Sequence, residues 1–400
     1  MPSKHSLQAK LTVLLAGAFL LEMAGYVAFP YISLRLRNSF NLDEEAIGLY
    51  FLLAIWLRPV WSILGGLLAE KIRPVHILSM ACLSETIGFL LLAFGTHPYE
   101  AVLALVIGNL GLSLWSPNLF ALIYKWYDDK QAVSKVSVLS GISNSGAVIG
   151  CLLGAWLSST AAQPIFLSAA ALYLVAAPVL GYVLRHEMPS KSEAISDSQP
   201  IPAIFRSNLK AVALILAISI GFWASYGQFN AFFALFSHDW LHRDSITGIA
   251  FGGVAVGVTI FSLVLSRLRD LKHQLKALSA SGAFAFSIAW LILVSFPNYF
   301  SVMLFVAAIS WAESCFSIYL ADLWSDVSRG RTHFMQAMNY AFRNVGMGLG
   351  SLIGGIFYHS QSVMSPSLMG WGLSNMVLLA VAAAALVLLV TPIKNVGANG

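Results

Sequence analysis

Five ionisable side chains fall near the middle of long apolar stretches in this 400-residue chain: Glu22, Arg58, Glu85, Glu313 and Arg343. A charge at mid-bilayer depth costs about 2.5–3.5 kcal/mol on the insertion scale, so each needs a counter-charge, water or a function. Matched depths, and the tendency of consecutive helices to be neighbours, predict two pairs, Glu22 with Arg58 and Glu313 with Arg343. Such a pair can hold helices together as a static contact. It can also exchange protons, because desolvation favours a neutral carboxyl group while a nearby guanidinium favours the charged one. Glu22 and Glu313 are therefore the candidate proton carriers, and Arg58 and Arg343 could grip a ligand carboxylate. Glu85 has no polar stripe around it and reads as structural or capping.

The surroundings of these charges point to a wet cavity. Glu22, Gly25, Tyr26, Phe29 and Ser33 recur at helical spacing. Ser310, Glu313, Ser314 and Ser317 share one helix face, and Gln336, Asn339, Tyr340 and Arg343 share another. Polar stripes on apolar helices mark surfaces that face water or ligand. Asn109, Ser113 and Ser116 form a third stripe, ahead of Pro117 and Asn118. Trp223, Tyr226, Gln228 and Asn230 are interleaved with Phe222, Phe229, Phe232 and Phe233. Rings with polar tips suit an amphipathic organic ligand, although any single ring in that segment could instead face lipid. The candidate substrate-binding set is Tyr26, Arg58, Asn109, Ser113, Trp223, Tyr226, Gln228, Asn230, Ser317, Asn339 and Arg343.

The elements that carry these residues follow from composition. Hydrophobic side chains make up 58% of the chain and charged ones 10%, with a mean hydropathy of +0.77. A soluble protein has a charged fraction of about 25%, so the expectation is an all-α integral membrane protein. A membrane barrel would show weak segments of about ten alternating residues, whereas Leu378 to Val390 is apolar on every side. Spans are expected at about 11–34, 45–69, 75–95, 99–123, 136–159 and 164–184, then 209–236, 246–267, 274–296, 299–323, 334–358 and 368–392. This gives a first bundle over 1–184, a Ser- and Pro-rich linker over 185–208 and a second bundle over 209–400. Eighteen of the 23 Lys and Arg fall on one side of this topology, which the positive-inside rule assigns to the cytoplasm together with both termini and the linker.

Other chemistries find little support. The net charge of +5 lies in short loops and reads as topology rather than nucleic-acid binding. Cys82, Cys151 and Cys315 fall within predicted spans and make no disulfide framework. His238, Asp239 and His242 have the i, i+4 spacing of a zinc site, but no third ligand is near in sequence, and no metal or other cofactor is expected. There is no Walker loop and no Ser/His, Asp/Asp or metal constellation at depth, so neither an ATP-driven pump nor an enzyme is expected.

The chain also repeats itself. At an offset of 200, Asn144, Gly146, Gly150, Leu152 and Gly154 fall on Asn344, Gly346, Gly350, Leu352 and Gly354 without a gap. Trp126 and Asp128 match Trp324 and Asp326 at an offset of 198. Two six-span halves related by duplication are the expected origin. Glycines four residues apart let helix backbones approach closely, and on spans five and eleven such a ridge could let the halves rock.

Six plus six spans, a central linker and the duplicated glycine helix resemble the major facilitator superfamily over nearly the whole chain, and within it the twelve-span drug/proton antiporter branch. After span two, Gly66-Leu67-Leu68-Ala69-Glu70-Lys71-Ile72-Arg73 is similar to the family pattern G-x-L-A-D-R-x-G, with Glu70 for Asp and Lys71 for Arg. In span five, Gly146, Gly150 and Gly154 are similar to the antiporter pattern G-x-x-x-G-P-x-x-G, with Cys151 in place of proline. The embedded arginine of the family's fourth span falls on Ile107. The resemblance implies that Glu70 faces the start of span eleven and, with Gly66, Lys71 and the span-five glycines, serves gating. It further implies a monomeric, proton-coupled exporter of drugs or siderophores in the bacterial inner membrane, exchanging protons for a small organic substrate among membrane lipids. Proton-symport uptake of a siderophore, aromatic acid or other nutrient is the alternative, and a receptor that binds without transport is a reading from a different class.

Overall fold

The computed structural model describes residues 4–69, 71–127, 129–159, 162–185, 187, 209–268, 271–328, 332–358 and 366–389. These residues are helical nearly throughout. In chain order the helices are α1 (Lys4–Ala28), α2 (Ile32–Phe40), α3 (Glu44–Ala69), α4 (Pro74–Phe94), α5 (Pro98–Trp126), α6 (Asp129–Leu157), α7 (Ala162–Leu184), α8 (Leu209–Leu241), α9 (Ser245–Leu265), α10 (Leu271–Ser295), α11 (Tyr299–Ser328), α12 (Thr332–Phe357) and α13 (Pro366–Leu388). Among the described residues ten helical segments are long and apolar enough to cross a membrane. Of the linker only 185 and 187 are among the described residues, and Glu70 of the loop after α3 lies outside them.

Several helices outrun the expected spans. α8 has 33 residues, about 50 Å at 1.5 Å per residue, against an apolar layer of about 30 Å. Hydropathy detects the part in lipid and misses the ends that project from it. α1 does not stop at the bilayer either. A short 3-10 turn, Phe29–Tyr31, with Pro30 in it joins α1 to α2, and the missing proline N–H breaks the α-helical hydrogen-bond ladder there. α2 ends where Asn41 turns left-handed (φ 53°) and returns its N–H to the Leu36 carbonyl, a conformation that asparagine tolerates. At the start of α5, Glu100 accepts hydrogen bonds from the N–H groups of Thr96 (2.7 Å) and His97 (2.9 Å), supplying partners for donors that lack intrahelical ones.

Packing follows the glycines. α1 lies against α6 and α7, α4 against α5 and α7, and α3 against α5. In the second half α8 lies against α12 and α13, α10 against α11 and α13, and α9 against α11. A side chain at Gly146, Gly150 or Gly154 would run into the backbone carbonyls of Phe19, Met23 and Val27 on α1. Gly346, Gly350 and Gly354 stand against α8, Gly346 at Trp223 and Ile220, Gly350 at the Ala224 carbonyl and Gly354 at the Phe232 ring and the Gln228 side chain. Both the ridge and the surface it meets are thus duplicated. This corrects one expectation: the span-five ridge is buried within its own half and does not separate the halves. The halves meet through α3 with α12 and α6 with α9. There a Cβ on Gly48 would meet the Ser351 carbonyl, and one on Gly248 the Cys151 carbonyl, the same contact shifted by 200 residues.

Polar contacts mark the two ends. At the end away from the N-terminus, Arg37 of α2 makes a two-pronged ion pair with Asp239 of α8 at 2.7 and 2.6 Å. Glu44 stands 3.7 Å from the same guanidinium, and the Tyr358 hydroxyl donates to Asp239 at 2.9 Å. The Gly248 N–H donates to the Tyr31 hydroxyl at 3.1 Å, so a residue of the first half caps a helix of the second. At the other end Glu187 accepts from Lys10 at 2.7 Å, with Lys125 at 3.6 Å.

Burial pushes the Glu187 carboxyl up, but the Lys10 hydrogen bond and the charges of Lys10 and Lys125 together outweigh it and hold the group below its ordinary value of 4.5. Its folded value being depressed, its contribution is present above the unfolded value and lost as pH falls through the folded one. Melting curves should therefore show wild type above Glu187→Gln at pH 7 by a small margin, below about 1 kcal/mol, with the gap closing under acid. A gap that widens under acid would contradict this account. Asp239→Asn should unfasten the far end and raise hydrogen exchange in α2 and early α9 by about tenfold, since one broken charge pair of this kind costs more than 1 kcal/mol. Unaltered exchange would show that the pair does not hold the halves together.

Candidate functional site

The two halves enclose a central cavity of about 370 Å³, within the size range of small-molecule sites. Glu22 and Tyr26 enter its wall from α1, Phe29 from the 3-10 turn after it, Arg58 from α3, Glu85 from α4 and Asn109 from α5. Tyr226 and Asn230 enter from α8, Glu313 from α11, and Tyr340 and Arg343 from α12. A second, smaller cavity begins at the same Glu22 and continues along Leu119, Ser140 and Ser143 towards the end that carries Lys10.

One predicted pair forms and the other does not. Arg343 Nη2 lies 3.7 Å from Glu313 Oε1, and its guanidinium sits 3.9 Å from the centre of the Trp223 ring, which stabilises a cation by its π face. α11 and α12 are neighbours, so consecutive order gave the correct partner. Glu22 and Arg58 are not paired. α1 packs on α6 and α7 while α3 packs on α5 and α12, so adjacency in sequence failed as a guide to adjacency in space. Arg58 instead donates from Nε to Asn109 Oδ1, and Asn109 donates to the Leu105 carbonyl at 2.7 Å. Among the described residues Glu22 has no ion-pair partner.

Of the predicted substrate-binding set, Tyr26, Arg58, Asn109, Tyr226, Asn230 and Arg343 line the cavity. Trp223 lies beneath Arg343 and reaches the site through it. Ser113, Gln228, Ser317 and Asn339 are not in the cavity wall. Ser113 is buried and bonds back to the Asn109 carbonyl at 2.8 Å. Gln228 is turned about 200° around α8 from Tyr226, at 100° per residue, and faces α13. Its Oε1 accepts from Asn375 (2.9 Å) and Ser374 (3.3 Å). Asn375 in turn accepts from Ser225, which accepts from the Trp290 ring N–H at 2.9 Å. This buried polar chain ties α8, α10 and α13 together away from the cavity.

The structure adds wall residues that the sequence did not single out as binding. Glu85 is not a cap: it sits in mid-helix, 5% exposed, in the cavity wall. Asn144 and Tyr340 also face the cavity. Tyr340 lay on the Arg343 stripe and Asn144 in the repeat, so both carried a signal. Phe51 and Phe251 complete an apolar surface, with Phe251 stacked on Phe229 at 4.5 Å between ring centres. Of the proposed gating residues, Lys71 is exposed; the surroundings of Gly66 are not described, and Glu70 is outside the described residues. Of the histidine run, Asp239 is held by Arg37 and Tyr358, and His238 contacts Asp244 at 2.8 Å.

Membrane-crossing helices around a charged central cavity define a transporter architecture. The chain belongs to the major facilitator superfamily, whose family model matches residues 14–271. Over 160 residues it is 31% identical to the multidrug resistance protein MdtH of Aeromonas hydrophila, a match spanning 40% of each chain. It is 23% identical to the quinolone resistance protein NorA of Staphylococcus aureus, covering 90% of this chain and 93% of that one. Among solved structures, a bacterial homologue of the human lysosomal transporter Spinster, in an inward-facing and unoccupied conformation, aligns with a TM-score of 0.77 at 16% identity over 97% and 98% of the two chains. The nucleoside transporter NupG aligns with a TM-score of 0.76 at 15% identity over 95% and 98%. These structures share the fold. The relatives agree with the drug-antiporter resemblance, and the family is one of transporters rather than enzymes.

The Gln228 network generates a test. Asn375→Leu orphans buried polar atoms at about 1–3 kcal/mol each, so the melting temperature should drop by several degrees while ligand affinity in the central cavity stays unchanged. A loss of affinity in folded protein would return Gln228 to the binding site.

Proposed function

We propose that this chain is a twelve-span, two-bundle exporter that exchanges protons for an amphipathic organic molecule by alternating access, acting as a monomer in the bacterial inner membrane with both termini cytoplasmic. The carrying observation is a cavity that combines aromatic walls with three carboxylates and two guanidinium groups, Glu22, Glu85 and Glu313 with Arg58 and Arg343. The duplicated glycine contacts support the two-bundle reading. The export reading draws on relatives named for multidrug and quinolone resistance.

Glu22 is the first proton carrier in this mechanism. It has no counter-ion among the described residues and opens on both cavities. A lone carboxylate in a low-dielectric space must be neutralised by a proton or by a bound cation. Competition between those two occupants at Glu22 links the fluxes. Glu313 is less free, because Arg343 already stands beside it. A membrane potential of about 150 mV supplies roughly 3.5 kcal/mol per charge, enough to hold about a 300-fold gradient. Substrate rings would lie against Tyr26, Phe29, Tyr226 and Phe251, and siderophores as well as drugs fit that description.

Reconstituted vesicles with an imposed pH gradient test the mechanism. Export by exchange and uptake by symport change the lumenal pH in opposite senses when a substrate gradient is applied. Glu22→Gln should reduce proton-coupled flux at least 100-fold, by analogy with the loss of a positioned acid–base group, and leave folding intact. Undiminished exchange would remove Glu22 from the mechanism.

A further inference from the structure

Glu85 occupies a slot made for it. α4 and α5 approach so closely that a Cβ at Gly111 would stand 2.6 Å from Glu85 Cγ and 3.2 Å from its Cδ, and one at Gly108 would stand 3.5 Å from Oε2. Gly111 thus leaves room for both the Ala81 carbonyl and the Glu85 side chain, and Gly108 stands in ordinary contact with the carboxyl group. The slot opens on the central cavity, whose wall also carries Arg58 and Asn109.

Arg58 faces the same space from α3. Its Nε is committed to Asn109, and among the described residues it makes no direct ion pair. The titratable groups around Arg58 are Tyr340 and Arg343 from α12, Glu85 from α4 and Tyr26 from α1. The other titratable groups acting on Glu85 and its surroundings are Glu22 from α1, Tyr173 from α7 and Cys82 from α4 itself. A structural buried pair gains by closing to contact, because attraction in low dielectric falls with distance while the desolvation cost stays. Here Glu85 and Arg58 both line the cavity, and no contact between the two charges closes. Such a pair can change its occupancy cheaply.

We propose that Glu85 is a second proton-binding carboxylate, governed by Arg58, and that a substrate donor group entering the space between them displaces its proton into cavity water. The donor character rests on the exchange reading above, since proton and substrate must then exclude each other at the carboxylate. Arg58 sets the charge that Glu85 sees, so its position and that of any group it binds decide when the proton leaves.

The test needs no substrate. Infrared difference spectra of the full chain in lipid nanodiscs, recorded across pH, resolve protonated carboxyl bands. Glu85→Gln should delete one titrating band and Glu22→Gln another. Arg58→Gln should displace the midpoint of the Glu85 band by about one unit or more and leave the Glu22 band in place, and Arg58→Lys should restore it. The proposal falls if Glu85→Gln removes no titrating band, or if Arg58→Gln moves only the Glu22 band. Should Arg58→Gln not fold, Gly111→Ala, which crowds the slot, must displace the same band, and a fixed midpoint overturns the assignment. The outcomes separate from those of the flux assay. Absent flux with the Arg58 response intact sinks only the transport reading, whereas intact flux without that response sinks this one.

Discussion

A charge placed in hydrocarbon must meet another charge or water, and that requirement orders the interior of this protein. Arg343 is met twice, by Glu313 and by the face of Trp223. Arg58 is met by an amide, and Glu22 and Glu85 line the cavity with no ion pair among the described residues. The second half is therefore electrostatically settled, while the first half keeps its charges loosely partnered. Binding chemistry can be asymmetric even where the backbone is duplicated. Offset by 200 residues, Arg58 meets Val258, Glu85 meets Ala285 and Glu22 meets Phe222, so none of the three has a charged counterpart.

The same requirement separates holding from moving. Deeper in than Gly48 and Ser351, the halves share close packing and two long hydrogen bonds, from the Trp56 ring N–H to the Val345 carbonyl and from Asn144 to the Thr259 hydroxyl, each 3.3 Å. Directional strength is concentrated at the far end, where Arg37, Asp239, Glu44 and Tyr358 converge. A weakly directional middle beside one strongly tied end suits the rocking motion proposed for transport, and the smaller cavity runs from Glu22 away from the tied end.

Much of this was legible in the residues themselves. Composition and run length place the helices, and the offset of 200 predicts which glycines have twins. Charges at depth nominated a central site, and Glu313 with Arg343 was paired correctly. What failed did so for geometric reasons. Sequence order suggested Glu22 beside Arg58, but the helices that carry them, α1 and α3, pack on other partners. Gln228 belongs to the right helix and the wrong side of it. Glu85 carried no stripe of polar neighbours on its own helix, because its companions and the glycines that admit it come from α3 and α5. The Arg37–Asp239 tie joins residues 202 positions apart and leaves no local pattern.

The reciprocal meeting of Gly48 with Ser351 and of Gly248 with Cys151 has an evolutionary corollary. It is one contact made twice with the partners exchanged, a reciprocity that a symmetric homodimer also presents. An ancestral chain of half this length would already have owned both surfaces, and fusing two copies required only a connecting segment. Loss of symmetry could then proceed one side chain at a time, with each copy free to specialise while the seam between them stayed the same.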